Sequence, residues 1–358
     1  MSDPVTPAPS ERGWGKLLLA LAAFLIIPAY TPLRALLPVE DTILLVAPAL
    51  AACCLVGWWA GGRLLLAVVW VALAVWILAP EQVAAWILRK PAPASAGAFF
   101  NLVRGWSLLL AGSFGLVCLF GTGRPFFSRA LGASAMALTL VLLMSSTGPL
   151  TPAKAQFAVQ AEFTRRNTEA VAQFRAVLKQ YPDVVKSMPQ MASLPNEVEG
   201  QLKTLADTGT VLFPSLLLLE SLIALALAWG TYHRISRTRL GAPLGFLKDF
   251  RFNDQFVWGL IAGLTIVFVP ALHSIDSTGR NLLVFFGALY AIRGFGVLSW
   301  FLAPGALGAA LLVGFAMLWW PVLSPVAVLG FVLLALAALG LGLGDTWADW
   351  RSRARPST

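Results

Sequence analysis

The sequence predicts an all-α protein, a polytopic bundle of transmembrane helices, and three observations lead to that fold class. Apolar residues make up 58% of the chain and charged residues 12%, against roughly 45–50% and about 25% in soluble domains. Several apolar runs approach the roughly 20 residues that a helix needs to cross a bilayer. No segment shows the alternation of a membrane β-barrel, so these runs must satisfy their backbone polar groups as helices.

The apolar runs place about ten spans along the chain, within a range of about eight to ten. Their approximate limits are residues 17–30, 42–61, 64–80, 99–121, 131–148, 210–230, 256–273, 281–303, 306–323 and 325–343. The count stays open near residues 17–41, where Pro28 interrupts a short run, and near 304–343, where two runs meet around Pro321 and Pro325. The expected divisions are an N-terminal tail (1–16), N-terminal spans (17–150), an insertion (151–209), C-terminal spans (210–344) and a C-terminal tail (345–358).

Lysine and arginine in the short loops predict the orientation of the spans. With both termini in the cytoplasm, most basic residues lie inside, including the loop that carries Arg234, Arg237 and Arg239. The formal charge of +9 is dispersed over these loops. This dispersal indicates membrane orientation in a multi-pass protein of the cytoplasmic membrane and argues against nucleic-acid binding.

The insertion at 151–209 is extracytoplasmic in this orientation and has the pattern of two amphipathic helices. Phe163, Ala170 and Phe174 recur at helical spacing in its first half. Asn196 and Glu199 have capping-box spacing at the start of its second half. Two roles stay open: a solvated cap on the bundle, or a lid that binds a partner, because an apolar stripe needs an apolar cover.

Two ionisable residues lie near the middle of apolar runs. Glu220 interrupts the sixth span and Arg293 the eighth, at similar depths, and Tyr290 lies one turn before Arg293. Ionisable groups in hydrocarbon are costly and face a protein interior or a polar cavity. Three interpretations stay open: an ion pair that fixes helix packing, a ligand or proton site, and side chains that reach the lipid headgroups. Gly287 and Gly294 are expected to permit close helix packing nearby.

The last span ends in the segment GLGDTWADWR, where Asp345 and Asp349 are expected on one helical face ahead of Arg351. Such carboxylates could form an acid/base or metal site, but at a membrane boundary we favour a structural role, in which they anchor the helix end or pair with arginines of the basic loop at 234–251. Asn253 or Asp254 is expected to cap the seventh span. The glycine pairs at 57/61 and 259/263 have the spacing of close-packed helices.

Catalytic and cofactor motifs are missing from the sequence. It contains no phosphate-binding loop, no zinc-protease motif, no serine-hydrolase elbow and no nucleotide fingerprint. Cys53, Cys54 and Cys118 lie inside apolar runs without metal-site or disulfide spacing, as expected of small buried hydrophobic residues. We therefore expect no enzymatic activity, no cofactor and no metal.

Four segments of the C-terminal half are distinctive: Phe213-Pro214-Ser215, RFNDQFVWG, NLLVFFGALYAIRGFGVLSW and LGDTWADWR. In these segments the sequence resembles the YybS-like family of uncharacterised bacterial membrane proteins, the domain of unknown function 2232, and the resemblance is strongest from Val211 to Arg351. Its most distinctive positions are Asn281, Leu282, Tyr290, Gly294, Asp345, Thr346, Trp347, Asp349 and Arg351. That family is remotely similar to the substrate-binding components of energy-coupling-factor vitamin transporters and to a rod-shape membrane protein family.

The resemblance implies a bacterial inner-membrane protein that binds a small molecule and borrows its ATPase from another chain. Under this first hypothesis Glu220 and Arg293 line or lock a cavity and Tyr290 contacts the solute. The second hypothesis is a cell-envelope scaffold that does not transport and holds a protein partner through its external helices or basic inner loop. In both cases the lipid bilayer is a partner, and fold analogy alone does not decide between them.

Overall fold

The computed structural model describes residues 14–26, 39–88, 97–121, 123–147, 151–180, 194–303, 305–318 and 324–350. Over these residues the chain forms α-helices and short 3-10 turns, and no strand. The α-helices are α1 (Gly15–Ile26), α2 (Val39–Trp59), α3 (Leu64–Leu78), α4 (Pro80–Leu88), α5 (Ala98–Phe120), α6 (Phe126–Thr147), α7 (Pro152–Gln180), α8 (Leu194–Ile235), α9 (Val257–Phe268), α10 (Asp276–Phe301), α11 (Ala306–Leu318) and α12 (Ser324–Ala348). The predicted all-α membrane bundle is confirmed.

Six of the described helices are long and apolar enough to cross a membrane: α2, α5, α6, α8, α10 and α12. Three shorter apolar helices, α3, α9 and α11, coincide with further predicted spans. The predicted first span corresponds to α1, while Pro28 and the hairpin proline Pro321 lie outside the described residues. The seventh predicted span ends early as a helix, at Phe268, because Pro270 has no N–H to continue it and starts a 3-10 turn.

Helix α8 is longer than the sequence predicted. It runs without interruption through 42 residues, so the second helix of the insertion and the sixth span are one element. The predicted boundary at residues 209/210 therefore falls inside a continuous helix. Pro214 lies within α8, five residues after Gly209, and neither residue ends it.

The chain divides into two compact units. The first comprises Met1–Phe213 and Glu220–Leu244, and the second comprises Pro214–Leu219 and Gly245–Thr358. In the first unit α2 packs against α3 and α5, α5 packs against α6, and α2 is the most buried of the candidate spans. The three cysteines, Cys53, Cys54 and Cys118, are buried and free in this unit, as expected. In the second unit α10 packs against α9 and α12.

The apolar stripe of the insertion is covered from within its own unit. Val159 and Phe163 of α7 are buried in one cluster with Phe99 and Val103 of α5 and Ala206 of α8. The side chain of Asn167 donates to the carbonyl of Leu202, and Arg175 pairs with Glu199 at 2.7 Å. Phe163 of the stripe thus has an apolar cover, as a cap on the bundle requires. The side chain of Phe174 lies outside the described part.

Candidate functional site

Arg293 is the centre of a buried charge cluster in the second unit. Its Nε donates to Oδ2 of Asp345 at 3.0 Å, and its Nη2 donates to the carbonyl of the same residue at 3.2 Å. Its Nη1 donates to Oδ1 of Asp254 at 2.6 Å. The side chains of Arg293 and Asp345 are 4% and 0% exposed, whereas that of Asp254 is 59% exposed. One guanidinium therefore joins α10, the C-terminal end of α12 and the turn before α9.

Aromatic rings enclose the same guanidinium. The Arg293 guanidinium carbon lies 5.5 Å from the centre of the Phe252 ring. Tyr290, fully buried one turn earlier on α10, packs edge-on against Phe252 at 5.0 Å. Its hydroxyl donates to the carbonyl of Asp254 at 3.4 Å. The charged groups and the rings of this cluster therefore contact one another within the unit, and such contacts hold the helices together.

Glycines allow α10 and α12 to approach closely beside this cluster. A Cβ on Gly294 would lie 2.9 Å from the Cα of Ala338, and one on Gly342 would lie 2.9 Å from the carbonyl carbon of Tyr290. The predicted close approach at Gly294 is confirmed. At Gly287 the prediction is wrong, because a Cβ there would have no neighbour within 4 Å. That glycine faces away from the packed side of α10.

Asp345 and Asp349 were expected on one helical face, and this prediction is wrong. Helix α12 ends at Ala348, and Asp349 has a φ of 38°. It therefore leaves the helix and pairs with Arg251 at 2.7 Å. The predicted pairing with the basic loop is confirmed for Asp349. Asp345 pairs instead with Arg293 of α10. Trp347 is 69% exposed at the helix end, and Arg351 lies outside the described residues.

Two polar residues of the second unit support backbone rather than a ligand. Oδ1 of Asn281 accepts the backbone N–H of Ser215 at 2.9 Å, directly after Pro214. Asn253 caps the 3-10 turn Asp254–Phe256 that leads into α9, and its Oδ1 accepts the N–H of Gln255 at 3.0 Å. The predicted cap thus lies on the turn before α9 and not on α9 itself, whose N-cap residue is Phe256 without a side-chain hydrogen bond. The 259/263 glycine pair is confirmed as a close-packing site, since a Cβ on either residue would meet Phe286 or Leu283 of α10.

Glu220 belongs to a second buried polar cluster, in the first unit. Its Oε1 accepts the hydroxyl of Thr42 at 2.5 Å, and the residue is 7% exposed. Next to it on α8, the hydroxyl of Ser221 accepts the indole N–H of Trp106 at 2.9 Å. The hydroxyl of Ser107 donates to the carbonyl of Leu44. Helices α2, α5 and α8 therefore bring a carboxylate and three hydroxyls together inside a membrane-spanning bundle.

The predicted pairing of Glu220 with Arg293 stays a prediction, because the two residues belong to different units. Within its own unit each has other partners: Thr42 for Glu220, and Asp254 with Asp345 for Arg293. The roles of Thr42, Trp106, Ser107 and Ser221 were not predicted from the sequence. Hydroxyl and indole groups are common in apolar helices and therefore attract little notice in a sequence. The feature that could have identified these residues is that Trp106-Ser107 and Glu220-Ser221 are adjacent polar pairs within apolar runs.

A known protein family matches most of the chain. The profile of a family described as a predicted membrane protein, DUF2232, matches residues 65–332. The match begins in α3, well before the segment in which the resemblance was strongest, and ends before Asp345 and the terminal motif. Comparison with curated proteins and with solved structures found no match.

Proposed function

Because the chain belongs to the DUF2232 family of predicted membrane proteins, we propose that it is a membrane subunit which binds a small polar solute without chemically altering it. The observation that carries the proposal is the carboxylate of Glu220, buried with Thr42 among α2, α5 and α8. A carboxylate in the middle of a membrane span is costly to bury, and such residues mark solute and ion pathways. The neighbouring hydroxyls are polar groups of the kind that orient a small ligand.

The two polar clusters have different roles in this proposal. The Arg293 cluster, with two carboxylates on one guanidinium and glycine-mediated backbone contact beside it, holds the second unit together. The Glu220 cluster recognises the solute, which must offer a donor group to the carboxylate, such as an amine or a hydroxyl. Tyr290 then acts as part of the lock, since it is fully buried against Phe252.

In the cell, we place the protein in the bacterial inner membrane with both termini in the cytoplasm. The orientation rests on the distribution of Lys and Arg among the short loops. By analogy with energy-coupling-factor transporters, the energy for transport would come from an ATPase on another chain. That analogy is one of fold class, and the binding site itself has to carry the functional argument.

Native mass spectrometry of the full-length protein, extracted gently from its own membranes, tests solute binding. We expect a reproducible small-molecule adduct on the wild type. Glu220→Gln keeps the shape of the side chain and removes its charge, so we expect it to lose the adduct while thermal unfolding changes by only a few degrees. Ser113→Ala on α5 is the matched control, because its buried hydroxyl has no hydrogen-bond partner and its removal should leave the adduct unchanged.

Two outcomes would contradict the proposal. One is a wild-type protein that carries no adduct from its own membranes. The other is a Glu220→Gln variant that keeps the adduct and loses thermal stability, which would make Glu220 a structural residue. If Glu220→Gln and Arg293→Met both leave stability and binding unchanged, the Glu220 cluster does not bind the solute and the Arg293 cluster does not hold the second unit together.

A second candidate function is a cell-envelope scaffold, and the insertion is the observation that favours it. Helix α7 is fastened to α8 by Asn167 and Arg175 and presents a charged outer face that includes Arg165 and Glu169. Such a fixed platform suits a protein partner. Deletion of residues 157–205 should then abolish co-purification of that partner, whereas Glu220→Gln should retain it.

A further inference from the structure

One end of the first unit carries an unusual concentration of arginine. Three segments lie there, residues 57–63, 121–129 and 231–244, and their sequences contain no Asp or Glu. They contain six arginines: Arg63, Arg124, Arg129, Arg234, Arg237 and Arg239. These segments therefore carry six cationic side chains and no carboxylate. We call this group the arginine face.

The fold brings the three segments into contact. Gly62 lies so close to the third segment that a Cβ on it would be 2.9 Å from Oγ1 of Thr238. Arg129 is fully buried, and its Nη1 donates to the carbonyl of Leu240 at 2.8 Å while its Nε donates to the carbonyl of Arg124 at 2.9 Å. The arginine face is therefore one surface, with Arg129 as its internal fastening.

Four of these arginines are exposed on that surface: Arg63, Arg124, Arg237 and Arg239. Three exposed arginines in other described parts of the chain have carboxylate partners at 2.5–2.7 Å: Glu162 and Glu169 for Arg165, Glu199 for Arg175, and Asp276 for Arg280. The local charge on the arginine face is thus positive, and it favours an anionic occupant.

Exposed aromatic side chains identify the kind of occupant. Trp58 and Trp59, at the end of α2, are 42% and 78% exposed, and Phe120, at the end of α5, is 87% exposed. Tryptophan at the ends of membrane spans lies at the level of the lipid headgroups. We propose that the arginine face binds the headgroups of anionic phospholipids, with Trp58, Trp59 and Phe120 in the interfacial layer beside them. In the predicted orientation this is the cytoplasmic leaflet, which is rich in anionic lipid.

Lipid titrations of the delipidated full-length protein, followed by native mass spectrometry, test this inference independently of any solute. The probes are phosphatidylglycerol and phosphatidylcholine at equal chain length. We expect the wild type to bind phosphatidylglycerol more tightly. One arginine near a membrane surface is worth about a fivefold change in affinity, so the triple variant Arg63→Gln, Arg124→Gln, Arg239→Gln should bind phosphatidylglycerol roughly a hundredfold more weakly.

The matched control is the triple variant Arg165→Gln, Arg175→Gln, Arg280→Gln, which removes the same charge from arginines that have carboxylate partners. It should bind phosphatidylglycerol within about a factor of two of the wild type. Thermal unfolding and size-exclusion profiles check that both triples fold, and Arg239→Gln alone replaces the first triple if it does not. Equal weakening in both triples, or no preference of the wild type for phosphatidylglycerol, would overturn the inference. The inference would also be overturned if inorganic phosphate displaced phosphatidylglycerol at a concentration equal to that of the lipid. It would be overturned as well if the protein retained an acidic protein partner in place of lipid.

Discussion

The backbone N–H of Ser215 donates to the side-chain Oδ1 of Asn281 at 2.9 Å. Pro214 precedes Ser215 inside α8, and a proline in a helix has no N–H and clashes with the carbonyl four residues earlier. The Asn281 amide supplies an acceptor to the backbone N–H that directly follows the proline. Asn281, one of the distinctive positions of the family resemblance, thus supports the backbone beside a proline.

Asn281→Ala should destabilise the protein, because the N–H of Ser215 loses this acceptor. We expect a loss of about 1–3 kcal/mol in the free energy of unfolding, measured by thermal unfolding in detergent through tryptophan fluorescence. In a Pro214→Ala background a regular helix can form, so the same substitution should cost less there. Equal costs in both backgrounds would show that Asn281 acts independently of the proline.

Gly294→Ala should also destabilise the protein, because the added methyl group would meet the backbone of Ala338 on α12. Overpacking of this kind costs about 1–3 kcal/mol, and a backbone neighbour yields little. Gly287→Ala on the same helix is the control, since its methyl group meets nothing within 4 Å and alanine favours the helix by about 0.5–1 kcal/mol. Comparable loss of thermal stability in the two variants would refute the close contact between α10 and α12.

The sequence predicted the helices well because hydrocarbon leaves the backbone little choice. It predicted the partners of charged groups less well. Asp349 was expected to pair with the basic loop and does so through Arg251. Arg293 is hydrogen-bonded to Asp345, which is 52 residues away in the sequence, and Glu220 to Thr42, which is 178 residues away. Such partners depend on how helices are arranged around one another, and helical periodicity within a single segment carries no information about that arrangement.

Arg293→Met should be strongly destabilising, because it leaves the fully buried carboxylate of Asp345 without its guanidinium. Breaking a buried pair in this way costs about 3–5 kcal/mol. The double variant Arg293→Met, Asp345→Leu should recover part of that loss, since no buried charge is left behind. Asp254→Asn should cost about 1 kcal/mol or less, because the Asp254 side chain is 59% exposed. Thermal unfolding of the wild type and the three variants measures these differences. A double variant no more stable than Arg293→Met would refute this account of the cluster.

Glu162 should make the insertion sensitive to acid. Hydrogen bonds from Arg165, and then from Arg166, lower the pKa of this carboxyl against the opposing effect of its burial. A folded-state pKa below the unfolded value of about 4.3 means that the ion pairs stabilise the protein above that pH, and that this contribution is lost as pH falls through the folded-state pKa. We expect the free energy of unfolding of the wild type to exceed that of Glu162→Gln by about 1 kcal/mol or less at pH 7 and pH 5, and the difference to become smaller as the pH falls below about 4.3.

Thermal unfolding at a series of pH values tests this, and Glu169→Gln, whose carboxylate is 57% exposed, is the control expected to show a smaller difference. A difference between wild type and Glu162→Gln that does not change with pH would mean that charge on Glu162 contributes nothing.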